Sequence, residues 1–275
     1  MLDTVDELLR KIRYGGDFVL FEKQAVPWTS FSDLEANLYR RFIPPETEDP
    51  QLSLRKIKLL TEDDLGVERA SVAGALLCSH HPEIWLPSAY IEAVRYRSVQ
   101  RDSYHQVAAA RITGSLDEQI RQAVSFVLRN RKELPELSPR AVFEAVANAV
   151  VHRDYSVYAP PIRLFHFADR LEIYSPGAPP DSLTVNDLRF QRAPRNEIIM
   201  FLLSRLGVEH PPGAGRRFVE GFGTGVPIIL RESRKISGRD PEYRLIDDAE
   251  LLLTIWSAEL PNRIDLTPEI KSLEA

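Results

Sequence analysis

Ser138-Pro-Arg-Ala-Val-Phe-Glu144-Ala-Val-Ala-Asn148-Ala-Val-Val-His152-Arg-Asp-Tyr155 is the stretch on which the fold turns. Ser138 can cap a helix whose first turn holds Pro139, a placement that wastes no backbone donor. Val142, Ala145, Val146, Ala149 and Val150 follow at helical spacing, and Phe143, Ala147 and Val151 make the remaining circumference apolar too. Such a helix is buried nearly all round. Glu144, Asn148 and His152 interrupt it at successive i, i+4 steps and form one slowly drifting polar stripe. An uncompensated buried carboxylate costs several kcal/mol, so Glu144 must meet a hydrogen-bonded network, a wet pocket, or a ligand with its metal. Two readings stand open here. A bound nucleotide with Mg²⁺ would satisfy all three residues, and a network including Arg153 or Asp154 that merely fixes the helix would do so as well.

Outward from this helix, Leu134-Pro-Glu-Leu-Ser-Pro139 breaks the chain and marks a boundary between residues 1–134 and 135–275. Downstream come two strands (Ile162 to Phe167, Leu171 to Tyr174), a Pro-rich loop and a helix (Asn196 to Leu206). A Gly-rich loop, a helix from Gly225 to Ser233, and strands Glu242 to Ile246 and Leu251 to Trp256 complete this half. The order predicts a two-layer α/β arrangement with a mixed or antiparallel sheet. Upstream, the sequence predicts a helix over Val5 to Ile12, a strand over Phe18 to Phe21, and a helix capped by Ser32 that runs to Phe42. Further helices are predicted over Leu52 to Leu60, Ala70 to Ser79 and Ser115 to Arg131, with a strand over Tyr90 to Arg97. The fold class is α+β, with a mostly helical α/β region in front of the two-layer sandwich.

The 275 residues, 44% hydrophobic, suffice for two domains. With 35 basic and 40 acidic residues the net charge is -5, which disfavours DNA binding by this chain alone. The one cysteine, Cys78, lies in an apolar run and reads as a core residue of a protein in a reducing, cytoplasmic setting. No apolar run approaches the roughly 18 residues of a membrane span, and the acidic start is unlike a signal peptide.

The run from Glu144 to Tyr155 resembles the signature of RecG-related ATPase-like proteins, whose Schlafen/AlbA-type members carry a DNA-binding domain in front of this module. Asp169-Arg-Leu-Glu-Ile-Tyr-Ser-Pro-Gly177, Arg195-Asn196 and Gly221-Phe-Gly-Thr-Gly225 follow in the expected order. The resemblance extends upstream through Ala73-Gly-Ala-Leu-Leu-Cys78, Pro82 to Pro87 and Ile112-Thr-Gly-Ser-Leu116. It implies a GHKL-like (Bergerat-type) sandwich over 135–275, with 1–134 the remnant or linker of an AlbA-type protein whose DNA-binding domain would precede Tyr14. It also implies ATP and Mg²⁺ as cofactors, with Glu144 polarising the attacking water and Asn148 holding the metal. His152 and Arg153 would contact the nucleotide at the pocket mouth, and Gly177, Gly221, Gly223, Thr224 and Gly225 would line it. Water activation by a carboxylate with metal-assisted charge neutralisation is chemically sufficient for hydrolysis.

Five of the chain's 13 glycines lie between Gly213 and Gly225, in a loop that ends at a helix start, where backbone N–H groups favour phosphate oxygens. Arg216 and Arg217 are candidate charge partners there. No Gly-x-x-x-x-Gly-Lys-Ser/Thr run occurs, so neither a P-loop mechanism nor strand unwinding is expected. One departure stands out. Where the family fold places an aspartate that reads the adenine amino group, this chain has Ser175-Pro-Gly177, which would forfeit roughly 1.5 to 3 kcal/mol of charge-assisted bonding. Asp169 reads as a turn residue. The other histidines show no metal-ligand spacing, Trp28, Trp85 and Trp256 read as core, and Arg231 to Lys235 as a solvated helix end. Two functions result: a regulatory module that binds, and with Glu144 could hydrolyse, a nucleotide and is linked to transcription or DNA, or a non-catalytic dimerisation module with a degenerate pocket. The expected partners are a nucleotide and a protein or second copy, with no membrane.

Overall fold

The computed structural model describes residues 20–129, 136–158, 160–178, 195–208, 217–219 and 223–258. Seven α-helices occur among them: α1 (Ala36–Tyr39), α2 (Pro50–Lys56), α3 (Val72–Cys78), α4 (Leu116–Leu128), α5 (Pro139–His152), α6 (Glu197–Arg205) and α7 (Gly225–Ser237). The strands are β1 (Leu60–Glu62), β2 (Glu68–Ala70), β3 (Ile91–Tyr96), β4 (Gln106–Ile112), β5 (Ile162–His166), β6 (Arg170–Pro176), β7 (Glu242–Ile246) and β8 (Glu250–Trp256). β1 and β2 form a small hairpin, and the other six make one mixed sheet in the order β4-β3-β5-β6-β8-β7. The α+β class and two-layer arrangement are as the sequence predicts.

The helix on which that prediction rests begins as expected. The Ser138 hydroxyl accepts the Ala141 N–H at 3.3 Å, and Pro139 occupies the first turn. Buried from Ala141 to Val151 except at Asn148, α5 packs between α4 and α7 and against β6. Strand alternation supplies the surface beneath the helices. Ile91 pairs with Ile162 and Ala93 with Leu164, and Ile173 and Leu171 sit opposite Leu253 and Ile255. All eight belong to the main core. The intervening residues of the opposite face gather Val94, Tyr96, Phe165 and Phe167 into a second cluster.

Two strands of the sheet lie before residue 134 and four after it. β3 and β5 run parallel, the one parallel pair among the described strands, and thereby join the two halves in a single sheet. β4 has no counterpart in the sequence-based reading, since Gln106-Val-Ala-Ala-Ala-Arg-Ile112 lacks the alternation that marks a strand.

The amino-terminal half departs from expectation in several places. Phe18–Phe21 was expected to be extended, but Phe21–Lys23 is a turn of 3-10 helix; residues 1–19, and with them the helix predicted over Val5 to Ile12, lie outside the described residues. The single helix expected from Ser32 to Phe42 is broken into two 3-10 turns around the four residues of α1, and its capping box belongs to Ser30 and Asp33. The helix predicted to reach Leu60 stops at Lys56, because Leu60 enters β1 and pairs with Ala70. α3 is buried as expected and lies so close to β1 that a Cβ on Gly74 would stand 2.1 Å from the Leu59 carbonyl oxygen.

A long-range cap ties this half to the rest. Glu22, fully buried, accepts the N–H groups of Ile198 and Ile199 at 3.0 to 3.1 Å, and so occupies the amino end of α6. Burial raises its pKa, and the backbone donors act in the opposite direction. Replacing it by Ala should lower unfolding free energy by about 1 to 3 kcal/mol, the range for losing a cap and charged hydrogen bonds. An unchanged urea midpoint for Glu22→Ala would show that the clasp contributes nothing.

His166, buried on the core face beside Arg95, is held neutral by burial and by that guanidinium, its pKa pulled from 6.5 to about 4. The unfolded chain takes up the proton at higher pH, so this contribution is intact above pH 6.5 and is lost as pH falls toward 4. Wild-type protein should lose about 2 to 3 kcal/mol more than His166→Phe between pH 7.5 and 4.5 in parallel denaturant titrations.

Candidate functional site

The polar stripe of α5 runs from a buried to an exposed end. Glu144 is buried, Asn148 half-buried and His152 exposed. Midway along it, Asn148 meets the start of α7. A Cβ on Gly225 would lie 2.6 Å from Asn148 Nδ2 and 2.8 Å from Oδ1, so only glycine lets the helix end approach that carboxamide. Thr224 is the N-cap residue of α7, and the preceding Gly223 takes a positive φ of 77° that glycine adopts without penalty. Ile228 donates to the Thr224 carbonyl at 3.1 Å, which begins the helical ladder. The N–H groups of Gly225 and Val226 precede that ladder, and Pro227 has none. The sequence-predicted Asn148, Gly223, Thr224 and Gly225 are therefore brought together, and Gly221 lies outside the described residues.

Arg153, expected at the pocket mouth, is engaged by groups other than those around Gly225. It is buried, its Nη2 donates to Ser88 Oγ at 2.8 Å and to the Pro160 carbonyl at 3.2 Å, and its guanidinium lies 4.9 Å from the Tyr155 ring centroid. Burial lowers its pKa. The arginine joins Ser88, just before β3, to the segment entering β5. Nothing in the spacing of His152-Arg-Asp-Tyr155 marks Ser88 as the partner.

The same tetrapeptide closes the carboxyl end of α5. Tyr155 Oη donates to the Val150 carbonyl at 3.0 Å, Ser175 Oγ donates to the Ala149 carbonyl at 2.9 Å, and Asn196 Nδ2 donates to the carbonyls of Val151 and Arg153 at 2.8 Å. Ser175, which departs from the expected aspartate, thus has its hydroxyl committed to the helix end. Beside it, Gly177 has φ 115°, and a Cβ there would meet Asp154 Cβ at 2.9 Å and Arg195 Nη2 at 3.3 Å. Asp154 accepts from Arg195 at 2.8 Å, and Arg195 Nη2 also donates to the Ala178 carbonyl at 2.5 Å. Asp169 sits in the turn between β5 and β6, as expected.

The Gly-rich segment has one core anchor among its described residues. Phe218 is buried, its ring 5.9 Å from that of Phe143 on α5, with the Arg121 guanidinium 4.9 Å from its centroid. Neither this anchor nor the Glu22 clasp had a sequence signal beyond residue type. Arg217 is exposed, and Arg216 lies outside the described residues.

Among the described residues no group of three or more His, Cys, Asp and Glu side chains could hold a metal. Mg²⁺ asks for less, since it is held by one or two protein oxygens with water and phosphate completing its shell. Glu144 and Asn148 fit that demand in donor type, and Gly225, with no side chain, lies directly against the Asn148 carboxamide. No helix is long and apolar enough to cross a membrane among the described residues.

Residues 160–255 match the family described as "Putative ATP-dependent DNA helicase recG C-terminal". That stretch takes in β5 to β8 with α6 and α7; α5, with Glu144 and Asn148, precedes it. No curated protein matches the chain significantly. The chain is similar to the crystal structure of the DIP2311 protein from Corynebacterium diphtheriae, with 24% identity and a TM-score of 0.63, over 93% of this chain and 50% of that one. It spans half the length of that protein, and the likeness is one of fold. From β5 to β8, the chain is similar to the RecG-related C-terminal ATPase-like module.

Proposed function

We propose that the chain binds a nucleoside triphosphate, ATP, with Mg²⁺ in the angle between α5 and the amino end of α7, and that it acts as a regulatory module in transcription or another DNA-linked process. The observation that carries this reading is the contact of the Asn148 carboxamide with Gly225, which sets an oxygen donor beside a helix amino terminus. Phosphate oxygens would be met by the Gly225 and Val226 N–H groups and by the positive end of the helix dipole. Asn148 Oδ1 would hold Mg²⁺, which when bound neutralises charge at the γ-phosphate. Glu144, one turn earlier, is the general base that orients and deprotonates water. His152, at the exposed end of the stripe, is a polar contact for the nucleoside.

The alternative is a protein-interaction module with a degenerate pocket. One observation favours it: the Ser175 hydroxyl bonds the Ala149 carbonyl and offers no carboxylate to a base. Calorimetric titration of Mg-ATP separates the two. Under the nucleotide reading, Asn148→Ala weakens binding at least ~10-fold, a factor of about 1.4 kcal/mol, whereas Glu144→Ala retains binding and loses phosphate release. Well-folded wild-type protein that binds no nucleotide would sink the first reading in favour of the second.

Gly225→Ala is a steric test of the same angle. The added methyl must displace the Asn148 side chain or the start of α7, so nucleotide affinity should fall as far as in Asn148→Ala, with about 1 to 3 kcal/mol of stability lost to overpacking. Unchanged affinity in Gly225→Ala would place the nucleotide elsewhere.

A further inference from the structure

Asn196 opens α6, yet its side chain makes no bond to its own helix. An N-cap side chain ordinarily accepts the N–H of the second or third helical residue, here Ile198 or Ile199. Glu22 has taken both: its two carboxylate oxygens accept the Ile198 N–H at 3.0 and 3.1 Å, and Oε2 also accepts the Ile199 N–H at 3.0 Å. Asn196 Nδ2 is thereby released to donate to the carbonyls of Val151 and Arg153, both at 2.8 Å.

Those carbonyls belong to the residues on either side of His152. Ser175 and Tyr155 brace the carbonyls of Ala149 and Val150, and Asn196 carries the brace onward to the turn that bears the imidazole. The place of the ring follows the backbone on its two sides. His152 is the polar contact assigned above to the nucleoside, so the Asn196 amide acts on the nucleotide through it.

The carboxamide cannot serve both helices. Turning Oδ1 toward Ile198 and Ile199, the capping geometry, carries Nδ2 away from the carbonyls of α5. Which helix it serves depends on Glu22, whose segment is docked by the Ala25–Ser71 bridge and by the Val72 N–H, which donates to the Gln24 carbonyl at 2.9 Å.

We propose that Asn196 is a positioning residue for the nucleotide and that Glu22 holds it in that role. With Glu22 docked, Asn196 braces the His152 turn; with Glu22 withdrawn, it caps α6 and releases that turn. Nucleotide affinity then answers to the docking of residues 20–24. This effect on affinity rests on the nucleotide reading above, whereas the swing of the side chain between two helices does not.

Two readouts test the switch, on variants whose melting curves show a folded protein at the working temperature. Mg-ATP should bind Glu22→Ala and Asn196→Ala at least ~10-fold more weakly than wild type, the loss expected when two hydrogen bonds cease to hold a contact. The double variant should be no weaker than Asn196→Ala, because both changes act through one side chain. Glu22→Gln, which keeps an acceptor oxygen, should recover most of the affinity. Amide hydrogen exchange reads the swing without nucleotide. At least one of the Ile198 and Ile199 N–H groups should stay protected in Glu22→Ala, where Asn196 takes over the cap, and lose protection at least ~10-fold in the double variant, where neither side chain remains. Three results overturn the proposal: a folded Glu22→Ala that keeps wild-type affinity, a double variant markedly weaker than either single one, and Ile198 and Ile199 amides that exchange as fast in Glu22→Ala as in the double variant. Wild-type protein that binds no nucleotide sinks the nucleotide reading itself, and amide exchange then decides the switch alone.

Discussion

The carboxyl end of α5 is the constraint from which the remaining arrangement follows. A helix buried on nearly every side has no water for its last carbonyls, so each must find a donor in the protein. Three successive oxygens, on Ala149, Val150 and Val151, are met by Ser175 of β6, Tyr155 of the exit loop and Asn196 at the entrance of α6. Those donors come from three separate stretches of chain. Together they fix the angle of α5 against the sheet and hence the line along which Glu144, Asn148 and His152 descend toward solvent. Ser175 is explained on these terms, as a donor that a carboxylate could not replace.

The solution at one helix end sets a problem at the next. Asn196 stands at the N-cap of α6, where its side chain would ordinarily serve its own helix. Its amide is turned instead toward Val151 and Arg153, and the vacated duty falls to Glu22, 176 residues from the N–H group it accepts. Arg195, one residue earlier, bonds Asp154 and the Ala178 carbonyl, and the tight approach of Gly177 leaves this corner no spare volume. A short amino-terminal segment is thereby built into the scaffold of the candidate site, though it is distant from it in sequence.

Much of this was legible in the sequence, and the limits have physical causes. The cap and extent of α5, the strand at Ile91, α4, and the closing strands β7 and β8 all follow from local patterns that burial reinforces. The broken helix around Ala36 and the strand β4 do not, because Gln106-Val-Ala-Ala-Ala-Arg has no period and is shaped by its partner β3. Helical spacing placed Glu144, Asn148 and His152 on one side, but it could not say what lies opposite each. Asn148 lies against Gly225 and Arg153 bonds Ser88, and neither contact has a signal of its own in the sequence. Trp28 departs from expectation for the same reason: residue type favours the core, and only the turn that Pro27 initiates, with a positive φ at Trp28, sends the indole outward.

The parallel pairing of β3 with β5 has a consequence for dissection of the protein. Between Tyr96 and Ile162 the chain must complete β4, α4 and α5 before β5 can be laid down, so the central ladder closes late and over a long loop. A fragment cut at the Pro-rich break near residue 135 would keep the RecG-related match but would strip β5 of its neighbour. Ile162, Leu164 and Phe165 would then lie on a bare sheet edge, the kind of surface that recruits other strands into aggregates. The segment that the family match defines is therefore shorter than the unit in which β5 is paired on both edges.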